Sequence, residues 1–137
     1  MIQFFHYAIG VRGNWRHCKE FHEIGPQIIA DYFSYKGWES FFLGANVPCS
    51  SLLNMIETKK PDLVGISNNF YINITRLFDM IREINQSYPK LKIIIGGQAV
   101  DKEGFTLPKE LKNVTKLSSL SDIDDYIEKE FNGKSSL

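Results

Sequence analysis

The amino-acid sequence predicts an α/β domain built on a doubly wound, five-stranded parallel sheet, and three observations carry that expectation. Short apolar runs with strand character recur along the chain, each separated from the next by residues whose apolar positions repeat at helical spacing. The 137 residues, 43% of them apolar, suffice for one compact core and leave little room for a second. No internal repeat or low-complexity segment interrupts the alternation, apart from the polar ending NGKSSL. One domain over residues 1–131, followed by a polar tail over 132–137, is therefore expected.

The elements follow in order. IQFFHYAI (2–9) reads as a buried first strand. After an irregular stretch, Pro26 is suited to open a helix, because the first helical position needs no N–H. Ile28, Ile29, Tyr32 and Phe33 share one face of that helix, and Gly37 ends it. WESFFLG (38–44) is the second strand; Pro48 and Ser50 start a helix carrying Leu52, Leu53 and Ile56, which closes before Pro61. DLVGIS (62–67) is the third strand. Ile74, Leu77, Phe78, Ile81 and Ile84 recur at helical spacing, KIIIGG (92–97) is the fourth strand and VTKLSS (114–119) a weaker fifth. Ser121 with Asp124 resembles a capping box ahead of Ile123, Tyr126, Ile127 and Phe131. Trp38, Phe41 and Phe42 are expected to pack in the core, since strand alternation cannot turn all three toward a ligand.

Strands alternating with helices imply right-handed crossovers and a parallel sheet covered on both faces, for which the flavodoxin-like order 2-1-3-4-5 is expected. In such sheets ligands bind beyond the carboxyl ends of the strands, near the switch point between strands 1 and 3. KEFHEIG (19–25) follows strand 1, SNN (67–69) follows strand 3 and GGQ (96–98) follows strand 4, so all three should meet on one rim. The connection from Gly10 to Gly25 is long for a strand-to-helix loop, a length more often functional than accidental.

Composition narrows the ligand. Sixteen basic residues balance sixteen acidic ones, so no overall field draws the domain to nucleic acid or to an anionic membrane. Cys18 and Cys49 are too few for a disulfide framework, no apolar run is long enough to span a bilayer, and MIQFFHYAIG lacks the features of a signal peptide. A cytoplasmic location is expected. Gly10 and Gly13 do not supply the G-x-G-x-x-G of a dinucleotide site, residues 10–25 hold no Ser or Thr for a flavin phosphate loop, and Ser67 stands where a phosphoacceptor receiver needs an aspartate.

The rim then offers a histidine, a carboxylate able to orient it and a glycine pair. A metal-ligating imidazole usually donates its second N–H to a carboxylate, and Glu20 lies two residues before His22. Gly25, Gly96 and Gly97 let the backbone approach a bulky ligand. Other readings of the same residues stay open: His22 as a solvated loop histidine between Glu20 and Glu23, a zinc site drawn from His17, Cys18, His22 and Cys49, or Gly96–Gly97 as a plain strand-to-helix turn.

Glu20-x-His22-x-x-Gly25, Ser67 and Gly96–Gly97 together resemble the D/E-x-H-x-x-G, S-x-L/T, G-G fingerprint of the flavodoxin-like cobalamin (vitamin B12)-binding family, with fitting gaps. FHEIGPQIIADYF, GWESFFLGANVP and KPDLVGIS extend the likeness over most of residues 18–100. The resemblance implies a base-off, His-on mode with His22 as lower axial cobalt ligand. Glu20, Glu23, Ile24, Gly25, Ser67, Asn69, Gly96, Gly97 and Gln98 are the cofactor-binding positions that it implies. Ser67 should lie near the benzimidazole of the nucleotide tail, Gly96 and Gly97 should leave room for that tail, and Gln98 should touch it.

Glu20 in place of the commoner Asp, with HEIG and GGQA, leans toward sensory members of the family, light-responsive transcriptional regulators included. A corrinoid methyl carrier serving separate methyltransferases, or a cofactor-free interaction domain, are the alternatives. Lys19 replaces the family's usual Gly, and Asn69 is polar where Leu or Thr is usual. The resemblance implies a helical cap over the upper corrin face, and the chain begins almost at strand 1. The sequence is then a fragment of a longer protein, or a partner protein or second copy covers that face, or the upper ligand is open to solvent; whether that ligand is adenosyl, methyl or hydroxo is left open. No nucleophile–base pair stands out, and the chemistry is expected to belong to the cofactor.

Overall fold

The computed structural model describes residues 3–8, 21–45, 48–67, 74–97 and 100–132; over residues 3–8, 21–27, 44–45 and 132 the description is of the backbone. Among these, strands β1 (Gln3–Ala8), β2 (Glu39–Ala45), β3 (Leu63–Ser67), β4 (Lys92–Gly96) and β5 (Val114–Lys116) form one sheet in the order β2-β1-β3-β4-β5. Every pairing is parallel. The helices are α1 (Phe21–Tyr35), α2 (Cys49–Lys59), α3 (Ile74–Ser87) and α4 (Leu120–Ile127), the last running into a π-helical turn (Glu128–Asn132).

Strand alternation divides the core into two layers. On one face Val64 and Ile66 of β3 and Ile93 and Ile95 of β4 pack against Leu52 and Ile56 of α2 and Leu77, Ile81 and Ile84 of α3. On the other, Leu63 and Ile94 meet Phe33 of α1 and Ile123, Tyr126 and Ile127 of α4. Trp38 seals the second layer, its ring edge-on to both Phe33 and Phe131 with centroids 5.0 Å apart in each pair. Phe41, expected in the core, packs half-buried against the first layer.

Helix ends follow local chemistry. Gly37, at φ 97°, stops α1 and lets the Trp38 N–H return to the Phe33 carbonyl at 3.0 Å. Tyr32 donates to Asp124 and Lys36 lies 3.3 Å from the same carboxylate, which ties α1 to α4. The Tyr32 hydroxyl, with Lys36 beside it, holds Asp124 below the usual carboxylate range.

Three expectations change. Helix α1 begins at Phe21, not at Pro26, so the proline is its sixth residue and has no N–H to offer the carbonyl four residues back, at 22. Helix α4 is capped by Ser119, not Ser121: the Ser119 hydroxyl accepts the Asp122 N–H at 3.1 Å while Asp122 accepts the Ser118 N–H at 2.9 Å. That cap uses residues expected in the fifth strand, so β5 ends at Lys116. The third change is between β4 and β5, where residues 100–113 contain no helix. Gly104 (φ 92°) and Pro108 interrupt the segment, and it is held on α3 by Phe105 against Phe78, Arg82 to Glu110 at 2.9 Å and a reciprocal Asn85–Asn113 pair.

Candidate functional site

In a parallel sheet all strands end on one rim, and the register sets which residues meet there. Ala8 of β1 lies beside Ser67 of β3, and Ser67 beside Gly96 of β4. Helix α1 packs on β1 and β2 and connects two parallel neighbours, so it runs antiparallel to them and its first turn lies at the same rim. The backbone of His22, Glu23, Ile24 and Gly25 is in the first turns of α1. Ser67, Gly96 and Gly97 are thus brought together directly, whereas Glu20, Asn69 and Gln98 lie outside the described residues.

The face of the sheet turned to α1 and α4 loses bulk toward this rim. Alternation puts Leu63, Gly65 and Ser67 of β3 on that face, with Ile94 and Gly96 of β4 beside them. Large residues fill the far end and small ones the rim end. Gly65, paired with Ile94, was not singled out by sequence reasoning; its signal was a glycine inside a strand, which marks a bulge or a close approach. Ser67 is 7% exposed and is the one polar residue in the buried class among the described residues. A buried hydroxyl requires a hydrogen-bond partner.

The two rim glycines have different structural reasons. A Cβ on Gly96 would stand 3.1 Å from the Leu117 carbonyl oxygen, so the chain leaving β5 already restricts this position. Gly97 has φ 109°, a conformation that glycine alone adopts at low cost, and its carbonyl accepts the N–H groups of Val100 at 3.2 Å and Asp101 at 3.1 Å. Part of the glycine signal is therefore a turn.

Cys49, at the start of α2, has its thiol pushed up to about 11 by burial, then by the Glu83 carboxylate next to it. The surroundings favour the thiol over the thiolate that zinc requires. Among the described residues no group of three or more His, Cys, Asp and Glu gathers to hold a metal ion. Alkylation of Cys49 by iodoacetamide, followed by peptide mass spectrometry, should accelerate about tenfold per pH unit up to about pH 11. A plateau near pH 9 would show an ordinary, solvated thiol. No described helix is long and apolar enough to cross a membrane.

An open parallel α/β sheet with small residues and a buried hydroxyl at its carboxyl rim has the architecture whose ligands bind at that rim. The chain belongs to the B12 binding domain family, whose sequence profile matches residues 19–109. It is a corrinoid-binding domain, and its cofactor is cobalamin. The described residues are compatible with that group: the small residues Gly65 and Ser67 and the buried Ser67 hydroxyl stand toward the carboxyl rim, the end of an open parallel sheet at which ligands bind.

Two solved structures share the fold. A novel cobalamin-binding protein from Desulfitobacterium hafniense DCB-2 aligns at TM-score 0.71 and 19% identity over 93% of this chain and 58% of its own. The Methanosarcina barkeri monomethylamine corrinoid protein aligns at TM-score 0.67 and 16% identity over 92% and 57%. The chain therefore spans well under two thirds of the length of either protein.

Proposed function

We propose that the domain binds cobalamin base-off, with His22 as lower axial cobalt ligand and the displaced nucleotide tail running between β1 and β3. The observation that carries this reading is the Ala8–Ser67–Gly96 row at the rim on which the first turn of α1 also lies. Glu20 orients the imidazole, and Glu23, Ile24 and Gly25 form the wall beside it. Ser67 hydrogen-bonds the benzimidazole, Gly65, Gly96 and Gly97 admit the tail, and Asn69 and Gln98 flank it. Cobalamin supplies the cobalt-centred chemistry, and the chain supplies binding and orientation.

The role we assign is sensory or regulatory, in the cytoplasm: a change at the upper ligand alters contacts with a helical cap, a partner or a second copy, and this domain contacts neither nucleic acid nor membrane. Residues 1–131 form the binding domain, with 132–137 a polar tail. The second reading is a methyl carrier, favoured by the name of the M. barkeri neighbour, although 16% identity supports the fold alone.

Purified protein is mixed with hydroxocobalamin in the dark, separated from free ligand by gel filtration and scanned for absorbance. A protein peak carrying an altered cobalt spectrum is expected; a colourless peak overturns the proposal for this chain. Repeating the experiment with adenosylcobalamin and methylcobalamin in dark and light separates the roles. A light-dependent change in assembly supports sensing. Methyl transfer to an added corrinoid methyltransferase, without a light response, supports carriage.

A further inference from the structure

The turn that follows β4 is fastened to the end of β5 by a polar cluster that the cobalamin fingerprint does not include. The Ser118 hydroxyl donates to the Asp101 carboxylate at 2.7 Å, and the Lys116 ammonium lies 3.7 Å from the same oxygen. The Asp101 N–H in turn donates to the Gly97 carbonyl at 3.1 Å. On the other side of the turn the Leu117 N–H reaches the Ile95 carbonyl at 2.9 Å, and the Leu117 carbonyl presses on the Cβ-free side of Gly96. The peptide between Gly96 and Gly97 is thereby held from both flanks.

This arrangement has no obvious need in the fold. All three side chains are exposed, none belongs to either core layer, and exposed pairs contribute little stability. They sit at the rim, though, beside the glycine turn that the proposed tail must pass.

We infer that Asp101, Ser118 and Lys116 are positioning residues for cobalamin: they lock the Gly96–Gly97 turn against β5 in the shape that admits the nucleotide tail. The inference rests on the binding mode proposed above. A free turn would have to be ordered by the ligand itself, and pre-organisation removes that cost from binding. The lock acts on the tail and not on the corrin ring, so its effect depends on whether the ligand has a tail.

The test titrates the full chain with hydroxocobalamin and with cobinamide, which lacks the nucleotide tail, and records the melting temperature of the cofactor-free protein. Asp101→Ala and Ser118→Ala are each expected to weaken hydroxocobalamin binding about two- to tenfold, the range for losing one hydrogen bond. Cobinamide affinity and the cofactor-free melting temperature should stay unchanged, and Ser118→Thr, which keeps the hydroxyl, should bind as the unsubstituted protein does. Equal losses for both ligands, a lowered melting temperature that accounts for the loss, or unchanged hydroxocobalamin affinity would each overturn the positioning role. If the unsubstituted protein itself holds hydroxocobalamin no better than cobinamide, the buried-tail reading fails, and the lock fails with it.

Discussion

His22→Ala should abolish most cobalamin retention, weakening it by roughly 100-fold, the upper end of what losing a residue that supports a metal site costs. Cofactor that still binds should show a spectrum close to that of the free ligand, because no imidazole replaces its own base. Glu20→Gln should cost about tenfold, since it lowers the basicity of the imidazole without removing it. Difference absorbance titration with hydroxocobalamin checks both. Unchanged affinity and spectrum in His22→Ala would remove the residue from the cobalt, whereas a spectrum that depends on His22 and ignores Glu20 would leave the ligand and dismiss its partner. The backbone position of His22, in the first turn of a helix that starts at the switch-point rim, is what gives the substitution its large expected effect.

Where one local signal dominated, the sequence was readable. β3 and β4 each hold an unbroken apolar run, Leu63–Ile66 and Ile93–Ile95, bounded by polar residues or glycine, as central parallel strands do, and Leu77, Ile81 and Ile84 mark the buried stripe of α3 by their spacing alone. Misreadings came where two signals competed. Pro26 is a good first helical residue, and that preference outweighed the fact that helix continues on its N-terminal side. Ser121 and Ser119 are both competent caps; which one acts depends on where β5 stops, and that is set by pairing with β4. Gly65 was passed over because a strand reads as a strand with or without one glycine, and its use becomes visible only when Ser67 and Gly96 are seen on the same face. The Asp101–Ser118–Lys116 cluster joins segments on either side of the β4–β5 connection, and no periodicity brings those together.

Phe33→Ala is the substitution expected to cost the fold most, about 3–5 kcal/mol. Phe33 is fully buried where α1, the sheet and α4 converge, packed in one cluster with Leu63, Ile94, Ile123 and Trp38, so truncation leaves a cavity that three elements would have to close. Against a total stability of about 5–15 kcal/mol for a domain, that loss brings the chain near its unfolding threshold. Urea unfolding should show a lower midpoint with an unchanged slope; a loss below about 1 kcal/mol would mean that the α1–α4 layer repacks freely. The variant also separates fold from site. A ligand that binds only the native state stabilises it by mass action, about 2.7 kcal/mol at a concentration 100 times the dissociation constant. Saturating hydroxocobalamin should therefore restore part of the Phe33→Ala midpoint, because the first turn of α1 is intact once the chain is folded. In His22→Ala the order reverses: the cofactor-free midpoint is normal and added hydroxocobalamin moves it little. If Phe33→Ala gains nothing from the cofactor, the α1–α4 layer is itself part of what shapes the corrin site, and the rim cannot be treated as independent of the core beneath it.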